Sequence, residues 1–259
     1  MDSRTILDLA PPQGDVRLRY GSAPRQFGDL RVPKLAGKHP VAIVLHGGFW
    51  RSKFNLAYMG HLCESLRDAG VATWNLEYRS IGDPGGGWPG TGQDVASGAS
   101  YLRVIADAHQ LDLTRVVALG HSAGGQLAMW LAAKGNPKLT GAIALGGVVD
   151  LERAWELKLS DTVTATFLGG APDQHRDADP MRLLPLGIPQ RLFHGVDDDI
   201  VPIEISRHYA ERARSLGDSA KLIELPGGHF EPVDPRTAQW VAVRDEIARM
   251  VKSSSSSAV

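Results

Sequence analysis

The residues at positions 120–124, Gly-His-Ser-Ala-Gly, carry the strongest chemical signal in the chain. They form a G-x-S-x-G motif, in which a serine sits on a sharp turn between a strand and a helix and exposes its hydroxyl oxygen. The two glycines are required because side chains beside such a strained turn would clash. The motif therefore predicts that Ser122 is a nucleophile for attack on a carbonyl carbon.

A serine nucleophile needs a base, and the base needs an acid that holds it in place. Where this motif joins a strand to a helix, the chain order is serine, acid, histidine. His229 stands in a glycine-containing loop after the last predicted strand, where the base is expected. Three consecutive aspartates at 197–199 follow the preceding strand, and their chemistry alone does not separate them. The spacing HG-x-x-D-x-x-VP at 194–202 selects Asp198.

The oxyanion that develops during such an attack must be met by backbone N–H groups held in position. One is expected from Ala123, because the residue after the nucleophile opens a helix. The others are expected from Gly48 and Phe49, in the loop HGGFW at 46–50 that follows a buried strand. His46 is interpreted as a brace for this loop, with an ordinary histidine at a strand end as the alternative.

Short β-rich runs alternate with helical patterns along the chain, which is typical of a mostly parallel sheet with crossover helices. The predicted fold class is therefore α/β, with a twisted, mostly parallel sheet flanked by helices. The predicted strands cover 16–20, 41–45, 71–76, 115–119, 142–145, 191–193 and 221–225. The predicted helices cover 56–69, 93–109, 122–134, 204–216 and 237–251.

No repeat or linker divides the chain, so residues 1–252 are predicted to form a single domain. The alternation breaks between about 150 and 188, a stretch too long for an ordinary βα loop. This insertion is predicted to be a small lid over the carboxyl ends of the strands, with an irregular surface excursion as the alternative. Residues 253–259 contain five consecutive serines and are predicted to be a flexible tail.

The composition excludes several classes of function. Lys and Arg total 28 against 29 for Asp and Glu, so a net charge of −1 offers no electrostatic surface for nucleic acid or an anionic membrane. The single cysteine, Cys63, rules out an intrachain disulfide and a thiolate zinc cluster. The chain shows no secretory signal and no run of about 20 apolar residues, so a cytoplasmic location is expected.

Aromatic residues near the predicted loops are candidates for an apolar pocket that would hold an aryl or acyl group. The candidates are Phe49, Trp50, Trp88, Trp155, Phe167 and Phe230. Simple packing in the core is an equally good explanation for each of these side chains taken alone.

Together these segments resemble the α/β-hydrolase superfamily. The resemblance rests on HGGFW at 46–50, GHSAGG at 120–125, HGVDDDIVP at 194–202 and GGHF at 227–230. Within the superfamily, the chain is similar to the branch with an HGG oxyanion loop, which includes hormone-sensitive-lipase-like esterases and kynurenine formamidases. The aromatic pair after HGG, Phe49-Trp50, and the pair Phe230-Glu231 after the histidine are similar to those of the formamidases.

The resemblance implies a serine hydrolase of small esters or activated amides that works through an acyl-enzyme, without a metal or cofactor. Arylformamidase activity is the preferred interpretation, with N-formylkynurenine as the named substrate, and a short-chain carboxylesterase is the alternative. A non-catalytic small-molecule binding protein is a more remote alternative, because a receptor does not need a triad with an oxyanion loop. The expected partner is a small ester or amide, with no nucleic acid and no membrane, and a homodimer is left open.

Overall fold

The computed structural model describes residues 3–253, with side chains described as far as residue 251. The strands are β1 (Val16–Arg19), β2 (Phe27–Arg31), β3 (His39–Leu45), β4 (Ala72–Leu76), β5 (Leu111–His121), β6 (Gly141–Leu145), β7 (Gln190–Gly195) and β8 (Ala220–Leu225). The α-helices are α1 (Gly60–Asp68), α2 (Gly90–Ser100), α3 (Leu102–Ile105), α4 (Ala123–Lys134), α5 (Leu151–Glu156), α6 (Leu159–Leu168), α7 (Glu204–Ser215) and α8 (Ala238–Ser253). Short 3₁₀-helices cover Ser3–Asp8, Ala57–Met59, Pro172–His175, Pro180–Leu183 and Glu231–Val233. The tail predicted at 253–259 lies outside the described residues except for Ser253, which ends α8.

The strands of residues 3–253 form an eight-stranded sheet with the order β1-β2-β4-β3-β5-β6-β7-β8. β2 pairs antiparallel with both β1 and β4, and the remaining neighbours are parallel. The predicted α/β class with a mostly parallel sheet is therefore confirmed. Because parallel strands end at the same edge of a sheet, the loops after β3, β5, β6, β7 and β8 meet there.

Strand β3 shows why the centre of the sheet is stable. All seven of its residues are buried, as expected for an apolar run in a strand covered on both faces. Successive side chains alternate between the two faces. Val41, Ile43 and Leu45 pack into one core, and Ala42 and Val44 pack into the other. The two cores together hold the carboxyl edge of the sheet in a fixed position.

Helix α4 lies in the interior of the molecule. Residues 123–132 are all buried, which is the pattern of a helix that is apolar on every side. The helix ends at Gly135, whose φ of 64° gives the left-handed conformation common after a last helical turn. Of the helices in residues 3–253, none is both long and apolar enough to cross a membrane.

Strand β2 is missing from the sequence-based prediction because its centre, Gly28 and Asp29, breaks the apolar alternation. A Cβ on Gly28 would lie 2.7 Å from the indole ring of Trp74 on the neighbouring strand, so glycine makes room for that ring. Asp29 accepts hydrogen bonds from Arg17 on β1 at 2.7 and 2.9 Å. Both residues make contacts with other strands, and a local sequence pattern does not reveal such contacts.

The helix predicted at 93–109 begins earlier and is divided into α2 and α3. The prediction misses the first turn because glycine is a poor helix former. Tertiary packing overrides that preference here. A Cβ on Gly92 would lie 2.7 Å from the ring of Trp88, so the small residue is needed for close contact between the two.

The insertion at 150–188 folds as α5, α6 and two 3₁₀-helices that pack on the core. Phe167 is 1% exposed, and its ring stacks on Trp50 with the centroids 4.3 Å apart. Gln126 of α4 donates a hydrogen bond from Nε2 to the carbonyl oxygen of Ala178 at 2.8 Å. The insertion is therefore tied to the buried central helix.

Truncation of Phe167 tests whether the insertion is an integral part of the core. We expect Phe167→Ala to lower the free energy of unfolding by about 3–5 kcal/mol, because it removes the ring that stacks on Trp50. Trp155→Ala is the matched control, since Trp155 lies in the same insertion but is 40% exposed. It should change the free energy of unfolding by no more than about 1 kcal/mol. Urea denaturation followed by circular dichroism measures both, and equal losses would contradict this packing.

Candidate active site

Ser122 occupies the turn between β5 and α4 and has an unusual backbone conformation. Its φ of 55° and ψ of −120° lie in a region that residues with side chains rarely adopt. Ser122 N donates a hydrogen bond to Leu145 O at 2.9 Å, and Ser122 O accepts from Gly125 N at 2.9 Å and from Val148 N at 3.1 Å. The loops around the turn therefore hold a backbone conformation that would otherwise relax.

The glycines of the motif allow the turn to pack closely. A Cβ on Gly120 would overlap the carbonyl oxygen of Gly124, and a Cβ on Gly124 would overlap the carbonyl oxygen of Leu45 at the end of β3. Any side chain at either position would push α4 away from the sheet. The G-x-S-x-G spacing thus reflects close packing on both sides of the serine.

His229 lies in the loop after β8, and Asp198 lies in the loop after β7. His229 Nδ1 is 2.7 Å from Asp198 Oδ2, and the two side chains are 3% and 0% exposed. A carboxylate at this distance makes Nδ1 the protonated ring nitrogen, so Nε2 is left to accept a proton. Ser122 and His229 line the same cavity. The structure thus brings together the three side chains selected from the sequence.

The Asp198 carboxylate has several partners besides His229. Its Oδ1 accepts hydrogen bonds from Ile200 N at 2.9 Å and Val201 N at 2.8 Å. Its Oδ2 lies 3.2 Å from Nε2 of the buried His194. Burial alone would raise the pKa of Asp198, but the hydrogen bonds from His194 and His229 outweigh it and hold the pKa well below its ordinary value. Asp198 is therefore ionised at neutral pH.

The two neighbouring aspartates have different surroundings. Asp197 is exposed. The side chain of Asp199 is 64% exposed and pairs at the surface with Arg4, whose Nη2 lies 2.7 Å from Oδ1. Of the three carboxylates, Asp198 is the one beside His229, as the HG-x-x-D-x-x-VP spacing predicts.

The loop after β3 presents two amides in an unusual conformation. Gly48 has a φ of 109° and Phe49 a φ of 50°, both in the left-handed region. A Cβ on Gly48 would overlap the side chain of Phe54, so this position needs glycine. In the part of the chain that the structure describes, the amides of Gly48, Phe49 and Ala123 donate no hydrogen bond. All three are therefore available to an oxyanion beside Ser122.

His46 braces this loop, which agrees with the interpretation made from the sequence. Its Nδ1 lies 2.8 Å from Gly47 O and its Nε2 lies 3.2 Å from Glu77 Oε1. The ring stacks on Tyr78 with the centroids 4.3 Å apart, and Tyr78 Oη donates to His46 O at 2.6 Å. Burial would raise the pKa of Glu77, but His46 and further partners lower it below its ordinary value. The ionised Glu77 carboxylate thus holds His46, and with it the loop, in position.

A chain of three hydrogen bonds connects the loop after β3 with the loop that carries His229. Gly47 N donates to Tyr58 Oη at 2.7 Å, Tyr58 Oη donates to His121 Nδ1 at 2.8 Å, and His121 Nε2 donates to His229 O at 3.0 Å. Burial lowers the pKa of His121 well below its ordinary value, so the ring is neutral and its one proton is on Nε2. Sequence analysis missed this role, because Tyr58 and His121 are 63 residues apart.

The cavity beside Ser122 is small and mostly apolar. Its volume is about 110 Å³. The lining residues are Leu7, Gly48, Phe49, Phe54, Tyr58, His121, Ser122, Ile200, His229 and Phe230. A larger cleft of about 630 Å³ lies around His61 and Arg236, but none of the triad side chains lines it. The smaller cavity is therefore the one that matters for chemistry at Ser122.

The structure separates the six aromatic residues that the sequence suggested for a pocket into two groups. Phe49 and Phe230 line the cavity, but the other four do not. Trp50 and Phe167 are each 1% exposed, and their stacked rings pack beside Trp88 in the core. Trp155 is 40% exposed at the surface. The Trp50 ring lies in the interior because it stacks on Phe167 there and its Nε1 donates a hydrogen bond to Gln126 Oε1 at 3.0 Å.

The side chains that sequence analysis missed come from separate parts of the chain. They are Leu7, Phe54, Tyr58 and Ile200. Within residues 3–253, no residue of the insertion at 150–188 lines this cavity. The apolar side chains of the insertion that the structure buries, such as Phe167, pack against the core.

Among residues 3–253, no group of three or more His, Cys, Asp and Glu side chains has an arrangement that could hold a metal ion. Cys63, on α1, is fully buried, and burial raises the pKa of its thiol to about 12. The Cys63 side chain is therefore a neutral thiol inside the core.

The strand order, the strained serine at the end of β5 and the Asp–His pair on the loops after β7 and β8 define the class of protein. They are the features of the α/β-hydrolase fold with a nucleophile elbow. The BD-FAE family model matches residues 29–212, and the chain belongs to the BD-FAE family. The resemblance to α/β-hydrolases noted in the sequence is therefore confirmed.

Two curated relatives are similar to most of the chain. Esterase LipC of Mycobacterium tuberculosis is 26% identical over 244 residues, which cover 84% of this chain and 60% of LipC. The probable isoprenylcysteine alpha-carbonyl methylesterase ICMEL1 of Arabidopsis thaliana is 25% identical, over 80% of this chain and 49% of that protein. The chain thus spans only about half to three fifths of the length of these relatives.

Solved structures with the same fold include two esterases. Esterase B from Lactobacillus rhamnosis has a TM-score of 0.83 at 19% identity and covers 98% of this chain and 90% of its own. The butyrate-bound esterase from Thermogutta terrifontis has a TM-score of 0.75 at 20% identity, and the match covers 93% of this chain and 94% of that esterase. At this identity the similarity establishes the fold.

Substitution of the three aspartates tests the assignment of the acid. We expect Asp198→Asn to lower kcat for p-nitrophenyl acetate by about 10⁴, because an amide at this place favours the wrong tautomer of His229. Asp197→Asn and Asp199→Asn are the matched controls and should each cost less than about tenfold, since neither side chain contacts His229. A larger loss in either control would show that the neighbouring aspartate is the acid in place of Asp198.

Proposed function

We propose that the chain is a serine hydrolase of short-chain carboxylic esters that works through an acyl-enzyme. One observation carries this proposal: Ser122 and His229 line the same small apolar cavity, and Asp198 holds the opposite side of the His229 ring. The BD-FAE family assignment and the esterase names of the two curated relatives support the same class of reaction.

The first half of the reaction forms the acyl-enzyme. Ser122 Oγ attacks the ester carbonyl carbon while its proton passes to His229 Nε2. The imidazolium keeps its Nδ1 hydrogen bond to Asp198, whose negative charge orients the ring and stabilises the cation. His229 then gives the proton to the oxygen of the leaving alcohol, and the bond between that oxygen and the carbonyl carbon breaks.

The amides of Gly48, Phe49 and Ala123 stabilise the oxyanion of the tetrahedral intermediate. They donate to no other group within residues 3–253, so they can donate to the substrate oxygen without breaking a hydrogen bond. Ala123 is also the first residue of α4, where the helix dipole favours negative charge. Each donor in such a site is typically worth about 10²–10³ in kcat.

The second half of the reaction releases the acid. A water molecule attacks the acyl carbonyl carbon while His229 Nε2 takes one of its protons. The second tetrahedral intermediate uses the same three amides. When it collapses, the proton returns to Ser122 Oγ, and the carboxylic acid leaves the cavity. The only co-reactant is water.

The size of the cavity favours small substrates. Its volume is about 110 Å³, which suits a short acyl group. An acetyl to butyryl chain fills such a space. The apolar side chains of Phe54, Ile200 and Phe230 would cover its methylene groups. Long acyl chains would extend beyond the cavity.

Arylformamide hydrolysis is the second candidate, because a formyl group is the smallest acyl group that this cavity can take. We place it second because two of the four residues that carry the formamidase resemblance, Trp50 and Glu231, have structural roles here. Trp50 is packed in the core, and the Glu231 carboxylate accepts a hydrogen bond from Gly228 N at 2.9 Å. N-formylkynurenine is therefore a substrate to test after the simple esters.

Removal of the nucleophile tests the proposed reaction. We expect a fluorophosphonate probe to label the wild-type chain, and we expect Ser122→Ala to abolish both the labelling and the hydrolysis of p-nitrophenyl acetate. The matched control is Ser215→Ala, which removes an exposed hydroxyl at the end of α7 and should leave both signals unchanged. Gel fluorescence measures labelling, and labelling that persists in Ser122→Ala would show that another residue is the nucleophile.

A substrate series separates the two candidate activities. We expect kcat/KM on p-nitrophenyl esters to fall at least about tenfold from butyrate to octanoate, since the additional methylene groups gain no burial and clash with the wall of the cavity. Phenyl acetate should be cleaved faster than formanilide and N-formylkynurenine, which release aromatic amines. If the formamides are cleaved faster, arylformamidase activity replaces the esterase proposal. If the rate rises toward octanoate, the size argument is wrong.

A further inference from the structure

The N-terminal segment, Ser3–Asp8, reaches the cavity at Ser122. Its Leu7 lines the cavity and is 45% exposed, so this side chain lies between the cavity and the solvent. We propose that Leu7 is a specificity-determining residue that limits the length of the apolar group the site accepts. The inference rests on the proposed esterase function and assigns to the N-terminal segment the role that the sequence suggested for the insertion.

Contacts with two other loops hold the segment in place. Ile6 is fully buried, which anchors the segment on the core. Arg4 pairs with Asp199 beside the acid, and Arg236 Nη2 donates to Thr5 Oγ1 at 2.9 Å. An exposed ion pair contributes little free energy, so the burial of Ile6 is the main anchor. Leu7 therefore has a defined position next to the loops of the acid and the base.

The position of Leu7 gives it a direct effect on the size of the apolar group that the cavity accepts. The lining of the cavity also includes Phe54, Ile200 and Phe230, so an apolar group that enters the cavity contacts apolar side chains. Leu7→Ala removes three carbon atoms from a wall that already borders solvent. The opening gives room for about two further methylene groups, each worth about a fourfold change in kcat/KM when it becomes buried.

The experiment compares two series of esters. The acyl series contains p-nitrophenyl acetate, butyrate, hexanoate and octanoate, and the alcohol series contains ethyl, butyl and octyl acetate. We expect Leu7→Ala to raise the ratio of kcat/KM for the long member to that for acetate by about tenfold in one series. Leu7→Trp should lower the ratio of kcat/KM for butyrate or butyl acetate to kcat/KM for the shortest ester of the same series. The series that responds identifies which side of the ester bond lies against Leu7.

Leu9→Ala is the matched control. Leu9 is a leucine of similar exposure, 38%, two residues further along, and it lines the cleft near His61 instead of the cavity at Ser122. The control should leave every ratio within about twofold of the wild type. Since Leu7 is nearly half exposed, the thermal midpoint of Leu7→Ala should remain close to that of the wild type.

Failure of the inference differs from failure of the proposed function. If Leu7→Ala keeps the wild-type ratios in both series while it hydrolyses the shortest ester normally, Leu7 does not limit substrate length. If the wild type hydrolyses no ester and takes no fluorophosphonate label, the proposed function has failed. Calorimetric titration of p-nitrophenyl acetate and octanoate into Ser122→Ala, with and without Leu7→Ala, then decides the inference without turnover. An unchanged affinity ratio would overturn it.

Discussion

The contact of Gly124 with the carbonyl oxygen of Leu45 is the constraint on which the site depends. No side chain fits between them, so α4 begins directly against the carboxyl end of β3. This single approach places Ser122 on its strained turn, and it brings the amide of Ala123 next to the loop of Gly48 and Phe49. The proposed nucleophile and the amides proposed to bind the oxyanion therefore have fixed positions before any substrate binds, which is the condition for electrostatic stabilisation.

Buried histidines connect the loops that converge on this point. His121 joins the loop after β3 to the loop of the base through Tyr58, and its ring has to be neutral to do so. His194 faces the acid from the strand before it, with Nε2 near Asp198 and Nδ1 2.7 Å from Ser206 Oγ. Each ring uses both nitrogens, so each links two segments and leaves no polar atom unsatisfied. The polar network thus supplies the rigidity that loops on their own lack.

The sequence predicts those features of the fold and the site that depend on residues close together in the chain. The buried run of β3, the turn at Ser122 and the choice of Asp198 among three aspartates all follow from local spacing, and the structure places them accordingly. Contacts between distant segments were not predictable in this way. Gly28 weakens the pattern of β2 because it makes room for a ring on another strand, and the Trp50 ring lies in the core, where it donates a hydrogen bond to Gln126 of α4. No local pattern indicates that Leu7 reaches a serine more than a hundred residues away.

The loop side chains and the glycines of the site differ in how freely they can change over evolutionary time. The glycines around Ser122 tolerate no replacement, because backbone atoms occupy the space beside them. Leu7 lies in the N-terminal 3₁₀-helix and Phe54, Ile200 and Phe230 lie in three separate loops, so none of the four is part of a strand or an α-helix. Selection can therefore alter the range of substrates one loop at a time while the catalytic machinery is inherited intact. A combinatorial library limited to these four positions would sample new specificities from a scaffold that still folds.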